Sequence, residues 1–177
     1  MKKKLILAAA FMTAIIMIMS MTRKGTVATS GLIEPDSVFV KEAASSSMME
    51  IQMGEMMMKK ATHPRVRAFA EMMVRDHTAA SKELKDIAKR KNFRLPETMM
   101  HKHSKHFDHL KKEEGDHEDY DKRYIKIMAE GHKDDIDEFE DAAKKAKDAD
   151  VRAFAAKQLP ILKMHRDSAI AIRKALD

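Results

Sequence analysis

The chain has 177 residues, enough for a leader and one domain with a core of its own. Five glycines and four prolines, against plentiful Ala, Lys, Glu, Leu and Met, favour an all-α protein, and the lack of cysteine excludes disulfides, thiolate zinc sites, iron–sulfur clusters and cysteine catalysis. The formal net charge of +6 would suit a nucleic-acid partner only if the basic residues formed a face on the folded body.

They do not. Residues 1–24 hold Lys2, Lys3, Lys4, Arg23 and Lys24 and no acid, so without them the net charge is +1. The body interleaves both signs, and no nucleic-acid partner is expected. The basic start is followed by an apolar run from Leu5 to Met21, which is the pattern of an export signal. This run also approaches the ~17 residues that a spanning helix needs. Residues 1–24 are therefore read as a signal peptide or membrane anchor, anchored through residues 5–21 if uncleaved. The address implied is the periplasm or cell envelope. Residues 25–35 read as a tether, and 36–177 as a helical bundle.

Four long helical patterns follow. The first starts near Asp36–Ser37, which offer an N-cap, and runs to about Ala61. Thr62-His63-Pro64 breaks it, and Pro64 suits the first position of a second helix reaching about Lys91. Residues 92–118 form a crossover with a short helix of its own. The third long helix spans about Asp119 to Lys147 and the fourth about Asp150 to Leu176. Pro160 falls inside the fourth and should kink it. Short, long and short connections are those of an antiparallel four-helix bundle of the ferritin-like type.

The pentapeptide VRAFA occurs at Val66–Ala70 and again at Val151–Ala155, 85 positions on. At the same offset Lys60-Ala61 matches Lys145-Ala146, Glu55 matches Glu140, and Glu50 matches Asp135. Each VRAFA opens the second helix of a hairpin, which indicates a duplicated hairpin.

Stepping three or four residues along each helix gives the inward stripes. They are Phe39, Ala43, Ser46, Glu50, Met53, Met57; then Val66, Phe69, Met73, His77, Ala80, Leu84, Ile87; then Tyr124, Met128, His132, Asp135, Phe139, Ala142; then Val151, Phe154, Ile161, His165, Ala169, Ile172. Each is apolar except near its middle. Glu50 and His77 lie roughly 13 and 15 residues from the first turn, and His132 and His165 roughly 16 from the second, a mismatch of ~5 Å at the helical rise. Burying such groups is costly unless they are paired or coordinated. Glu50, His77, His132 and His165 are therefore candidate ligands of one divalent metal ion, with Asp135 as an additional ligand or a support to the others. Zn, Fe, Mn, Ni and Cu all suit this donor set. The competing reading is an ion-paired network that sets helix register.

The segments FVKEAASSSMMEIQMG, VRAFAEMMVRDH, YIKIMAEGHKDDIDEFE and VRAFAAKQLPILKMH together resemble the ferritin-like, functionally uncharacterised family of bacterial envelope proteins often labelled outer membrane proteins. The resemblance runs from about Phe39 to Leu176. It implies a ferritin-like fold and an exported location, and it implies no reaction. Di-iron bundles carry Glu-x-x-His on two helices. Here Val74 precedes His77 and Leu162 precedes His165 at the glutamate positions, which argues against a bridged di-iron centre.

Two weaker signals accompany these. Met48, Met49, Met53, Met56, Met57, Met58, Met72 and Met73 raise the alternative of a periplasmic Cu(I) or Ag(I) chaperone, set against methionine as ordinary core filling. The crossover histidines His101, His103, His106, His109 and His117 read as a solvated, pH-sensitive surface that could hold a soft metal weakly. No phosphate loop, G-x-S-x-G elbow or dinucleotide fingerprint is present. The functional expectation is envelope metal handling or stress tolerance. The rivals are a peroxide- or oxygen-active metalloenzyme and a metal-free structural module.

Overall fold

A computed structural model describes residues 31–112 and 117–176, the side chains of 117–119 excepted. Residues 1–24, read as a signal peptide or membrane anchor, and residues 25–30 of the segment read as a tether lie outside the described residues. Five helices and no strand occur among those described: α1 Asp36–Lys60, α2 Pro64–Arg90, α3 His101–Lys112, α4 His117–Lys145 and α5 Ala149–Leu176. The boundaries fall within a residue or two of those read from the sequence. α5 runs through Pro160, which is exposed, as one helix.

The helix ends follow local chemistry. His63 caps α2, its Nδ1 accepting from the Arg65 amide at 3.2 Å, and Pro64 takes the first position, where no amide is needed. Asn92 ends the same helix at φ 48, a left-handed value that asparagine tolerates, and the Phe93 amide closes onto the Ala88 carbonyl at 2.8 Å. The start of α1 departs from expectation. Pro35 occupies the cap position without a side-chain bond, and Asp36 is used elsewhere. Its carboxylate accepts the amides of Lys147 and Asp148 at 3.0 and 2.6 Å, in the turn between α4 and α5.

That contact fixes the bundle's direction. The start of α1 lies at the α4–α5 turn. The α1–α2 turn lies at the start of α4, where Asp121 accepts the amides of Thr62 and His63 at 3.1 and 2.7 Å. Lys91, just past α2, pairs with Asp148 and Asp150 at the start of α5, at 2.7 and 3.1 Å. Each hairpin is thus antiparallel, the two turns sit at opposite ends, and α2 runs parallel to α4. The hairpins pack on each other through α1 with α4 and α2 with α5. α3 lies against α1 and α4. Of the residues read as tether, Gly31–Pro35 is docked: the Gly31 amide bonds the Lys91 carbonyl at 2.8 Å and Leu32 is buried.

The core is divided. One apolar cluster holds Met53, Met57, Val66, Phe69, Met73, Tyr124 and Met128 toward the α1–α2 turn. The other holds Val40, Leu84, Phe139, Val151, Phe154 and Leu162 toward the α4–α5 turn. On every long helix a polar residue separates the two: Glu50, His77, His132 and His165. Of the methionines read as a soft-metal signal, Met49, Met53, Met57 and Met73 belong to the first cluster and Met56 and Met72 pack against it, among aromatic and aliphatic neighbours, while Met58 is exposed.

Candidate metal centre

Helical spacing brings the four residues to one depth, since each lies between the apolar groups that anchor its helix. All four are buried, with exposures of 1% for Glu50, 5% for His77, 0% for His132 and 1% for His165. The His77 and His165 rings are 5.2 Å apart, as are those of His132 and His165, and His77 and His132 are 5.6 Å apart. One ring nitrogen from each histidine lies within 4.8 Å of the other two. Glu50, His132 and Asp135 form a second such group.

Hydrogen bonding settles where the protons are. A carbonyl can only accept, so the 2.9 Å contact from His132 Nδ1 to the Met128 carbonyl places the proton on Nδ1. Burial pushes the His132 pKa down to about 4, against the attraction of Glu50. The ring is neutral at pH 7 and Nε2 carries a bare lone pair. His165 Nε2 faces the Asp76 carboxylate at 3.0 Å. Burial works to raise the Asp76 pKa, but hydrogen bonds from Arg75 and His165 outweigh it, so the group is ionised and receives a proton from Nε2. Burial also lowers the His165 pKa, more strongly than Asp76 raises it, which leaves Nδ1 bare.

Two lone pairs therefore face one another, His132 Nε2 and His165 Nδ1, at 3.2 Å. Glu50 Oε1 stands 3.6 Å from the same His132 nitrogen. The other Glu50 oxygen accepts from His77 Nδ1 at 2.9 Å. Burial alone would raise the Glu50 pKa, but the three histidines outweigh it and hold the group at about 2. His77 Nε2 is buried and has no hydrogen-bond partner. Ligand atoms ~2.1 Å from an ion at tetrahedral angles stand ~3.4 Å apart. The 3.2 and 3.6 Å separations bracket that value, so His132 stands at ligand spacing from both His165 and Glu50, and the buried groups could hold a metal ion.

Asp135 is half-buried beside them, and its carboxylate accepts from the Ser46 hydroxyl at 3.2 and 3.3 Å. Burial, then Glu50 and Glu138, push its pKa well above the usual carboxylate range. The five residues singled out from the sequence thus fall into two groups that share His132. The residue missed is Asp76. It lies one position off the inward stripe of α2, and only the packing of α5 against α2 selects it over the other acids of that helix.

The described crossover histidines, His101, His103, His106 and His109, do not join this cluster. Among the described residues, no group of three or more potential ligands includes one. His103, expected on a solvated surface, is instead buried, its Nδ1 2.6 Å from Ser45 Oγ. That hydroxyl also accepts the Met100 amide at 2.7 Å, so the pair pins α3 to α1.

Comparison with known proteins agrees with the helical architecture. A fragment described as DUF305 from Deinococcus radiodurans, known from its crystal structure, superposes with a TM-score of 0.71 at 10% identity, over 81% of this chain and 98% of that one. At that identity the likeness is one of fold alone. No curated protein matches the chain. The family described as "Domain of unknown function (DUF4142)" matches residues 22–172, and the chain belongs to that family.

Proposed function

We propose that the chain binds one divalent transition-metal ion between its four long helices, in a ferritin-like arrangement, with Glu50, His77, His132 and His165 as ligands and Asp135 beside them. The observation that carries this reading is the facing pair of bare nitrogens, His132 Nε2 and His165 Nδ1, next to an ionised glutamate. Lone pairs gathered in a dry interior repel unless a cation is shared among them. Imidazole and carboxylate together suit Zn, Fe, Mn, Ni or Cu, and thioethers are not needed. Bound there, the ion supplies Lewis acidity and, if it is Fe, Mn or Cu, a redox couple. The protein's own part is to hold His132 and His165 neutral, orient His132 through Met128 and His165 through Asp76, and keep bulk water away. With the export-signal pattern of residues 1–24, the reading is metal handling in the cell envelope.

Elemental analysis of protein purified without added metal tests this. The expected result is near-stoichiometric metal that is lost in a His77→Ala, His165→Ala double variant. In addition, metal at ~100 times its Kd stabilises the native chain by ~2.7 kcal/mol. The competing reading is a metal-free network in which one extra proton joins His132 to His165 and fixes helix register. A metal-free protein whose melting temperature ignores added Zn, Cu, Mn and Fe would put that network in place of the metal.

A further inference from the structure

The 85-residue repeat maps the polar layer onto a second one that has lost its imidazoles. Glu50 corresponds to Asp135, His132 to Ser47, His165 to Ala80, and His77 to Leu162. These four counterparts do not scatter through the bundle. Asp135, Ser47, Ala80 and Leu162 all line one small cavity of ≈ 20 Å³, which Glu50, His77 and His165 line as well. Small side chains thus stand where two imidazoles are found in the other half, and space is left beside the candidate ligands.

The size and lining of that space restrict what enters it. One water occupies ~10–15 Å³ on this scale, so the cavity takes one or two heavy atoms. Glu50, Asp76 and Asp135 line it and no lysine or arginine does, so an anion would find no side-chain cation there. Phe139 and Phe154 close it on one side. The partially exposed carboxylate of Asp76 lies on the solvent side, its side chain 18% exposed. His77 Nε2, buried and without a partner, belongs to a residue of the same wall.

We infer that this cavity is the exogenous-ligand pocket of the centre, admitting to the ion an uncharged hydrogen-bonding molecule of one or two heavy atoms: water, or hydrogen peroxide in its place. The inference rests on the metal reading above, and it adds an open coordination position, as catalytic metal sites keep and structural ones do not.

Cobalt(II) tests it without reference to any activity. Co(II) held by four side chains and one water gives weaker visible d–d bands than four-coordinate Co(II), and weakly held surface cobalt is nearly invisible beside either. The full chain is expected to take up one cobalt with the weaker, five-coordinate bands. Ala80→Leu, which fills the cavity, should intensify them several-fold at unchanged cobalt content, and the milder Ser47→Val should move them in the same direction. Azide should leave the wild-type bands unchanged. Wild-type bands no weaker than those of either filled variant would overturn the pocket, and a band shift with azide would overturn the assigned ligand class. Absence of bound cobalt would overturn the metal reading and the pocket with it; because cobalt content is measured separately from the spectrum, the two failures are distinguishable.

Discussion

Asp36 and Asp121 perform the same task for opposite hairpins. Asp36, at the start of α1, accepts two amides of the α4–α5 turn, and Asp121, early in α4, accepts two amides of the α1–α2 turn. The two aspartates are 85 positions apart, as are the turns they hold. Arg67 and Arg152 repeat the relation, bonding the carbonyls of Ala61 and Ala146 at 2.7 and 2.6 Å. The repeat is therefore structural as well as literal, and each half closes the other's turn.

Replacing either aspartate strands backbone amides in a partly buried turn. Asp36→Ala and Asp121→Ala should each lower the unfolding free energy by about 1–2 kcal/mol, the usual cost of a lost cap. The two sites lie at opposite ends of the bundle, so the effects should add in the double variant. Denaturant unfolding of the three variants reads this directly.

Close approach of α1 and α2 depends on Gly54. A Cβ there would meet Val74 Cγ2 at 2.7 Å and the Ala70 carbonyl oxygen at 3.1 Å. Val74 is β-branched and stiff, and the carbonyl belongs to helix backbone, so neither yields freely. Gly54→Ala should destabilise by about 1–3 kcal/mol despite alanine's better helix propensity. An unchanged or raised melting temperature would contradict this packing.

Metal-free protein should lose stability as pH falls from about 6.5 toward 2. Burial keeps the folded pKa of His132 at about 4, below the ordinary 6.5, and His165 moves in the same direction. Between those values the unfolded chain takes up protons that the folded chain refuses, so acid favours unfolding. Glu50, held at about 2, continues the loss below 4.5, and Asp76 adds to it below 3.8. Asp135 opposes them, because its raised pKa makes the fold more tolerant of acid at that one group. Thermal melts of chelator-treated protein between pH 7 and 4 should show a falling midpoint, and His132→Asn should flatten the slope.

Orientation of His165 by Asp76 should matter to metal affinity more than to folding. Asp76→Asn removes the charge that faces His165 Nε2 at 3.0 Å and holds Nδ1 toward the centre. Loss of such a supporting carboxylate typically weakens a metal site 10–100-fold. Competition titration with a chelator of known affinity measures the change. An affinity equal to wild type would show that His165 needs no such support.

Much of this protein could be read from its letters. Apolar stripes with polar residues near their middles, Glu50, His77, His132 and His165 among them, marked both the inward faces and the polar layer, because helical periodicity alone decides which residues share a face. The VRAFA repeat and Pro64 located the hairpins for the same local reason. What the letters left open depends on neighbours distant in the chain. Asp36 reads as a cap for its own helix and instead holds the α4–α5 turn, Asp76 lies off every inward stripe yet faces His165, and His103 reads as solvated but is buried against Ser45. The cavity beside the ligands also required the fold, since only the packing of the two halves shows that Ser47, Ala80, Asp135 and Leu162 enclose one space. Periodicity is a property of a single helix, whereas caps, supporting carboxylates and voids are set by how helices meet.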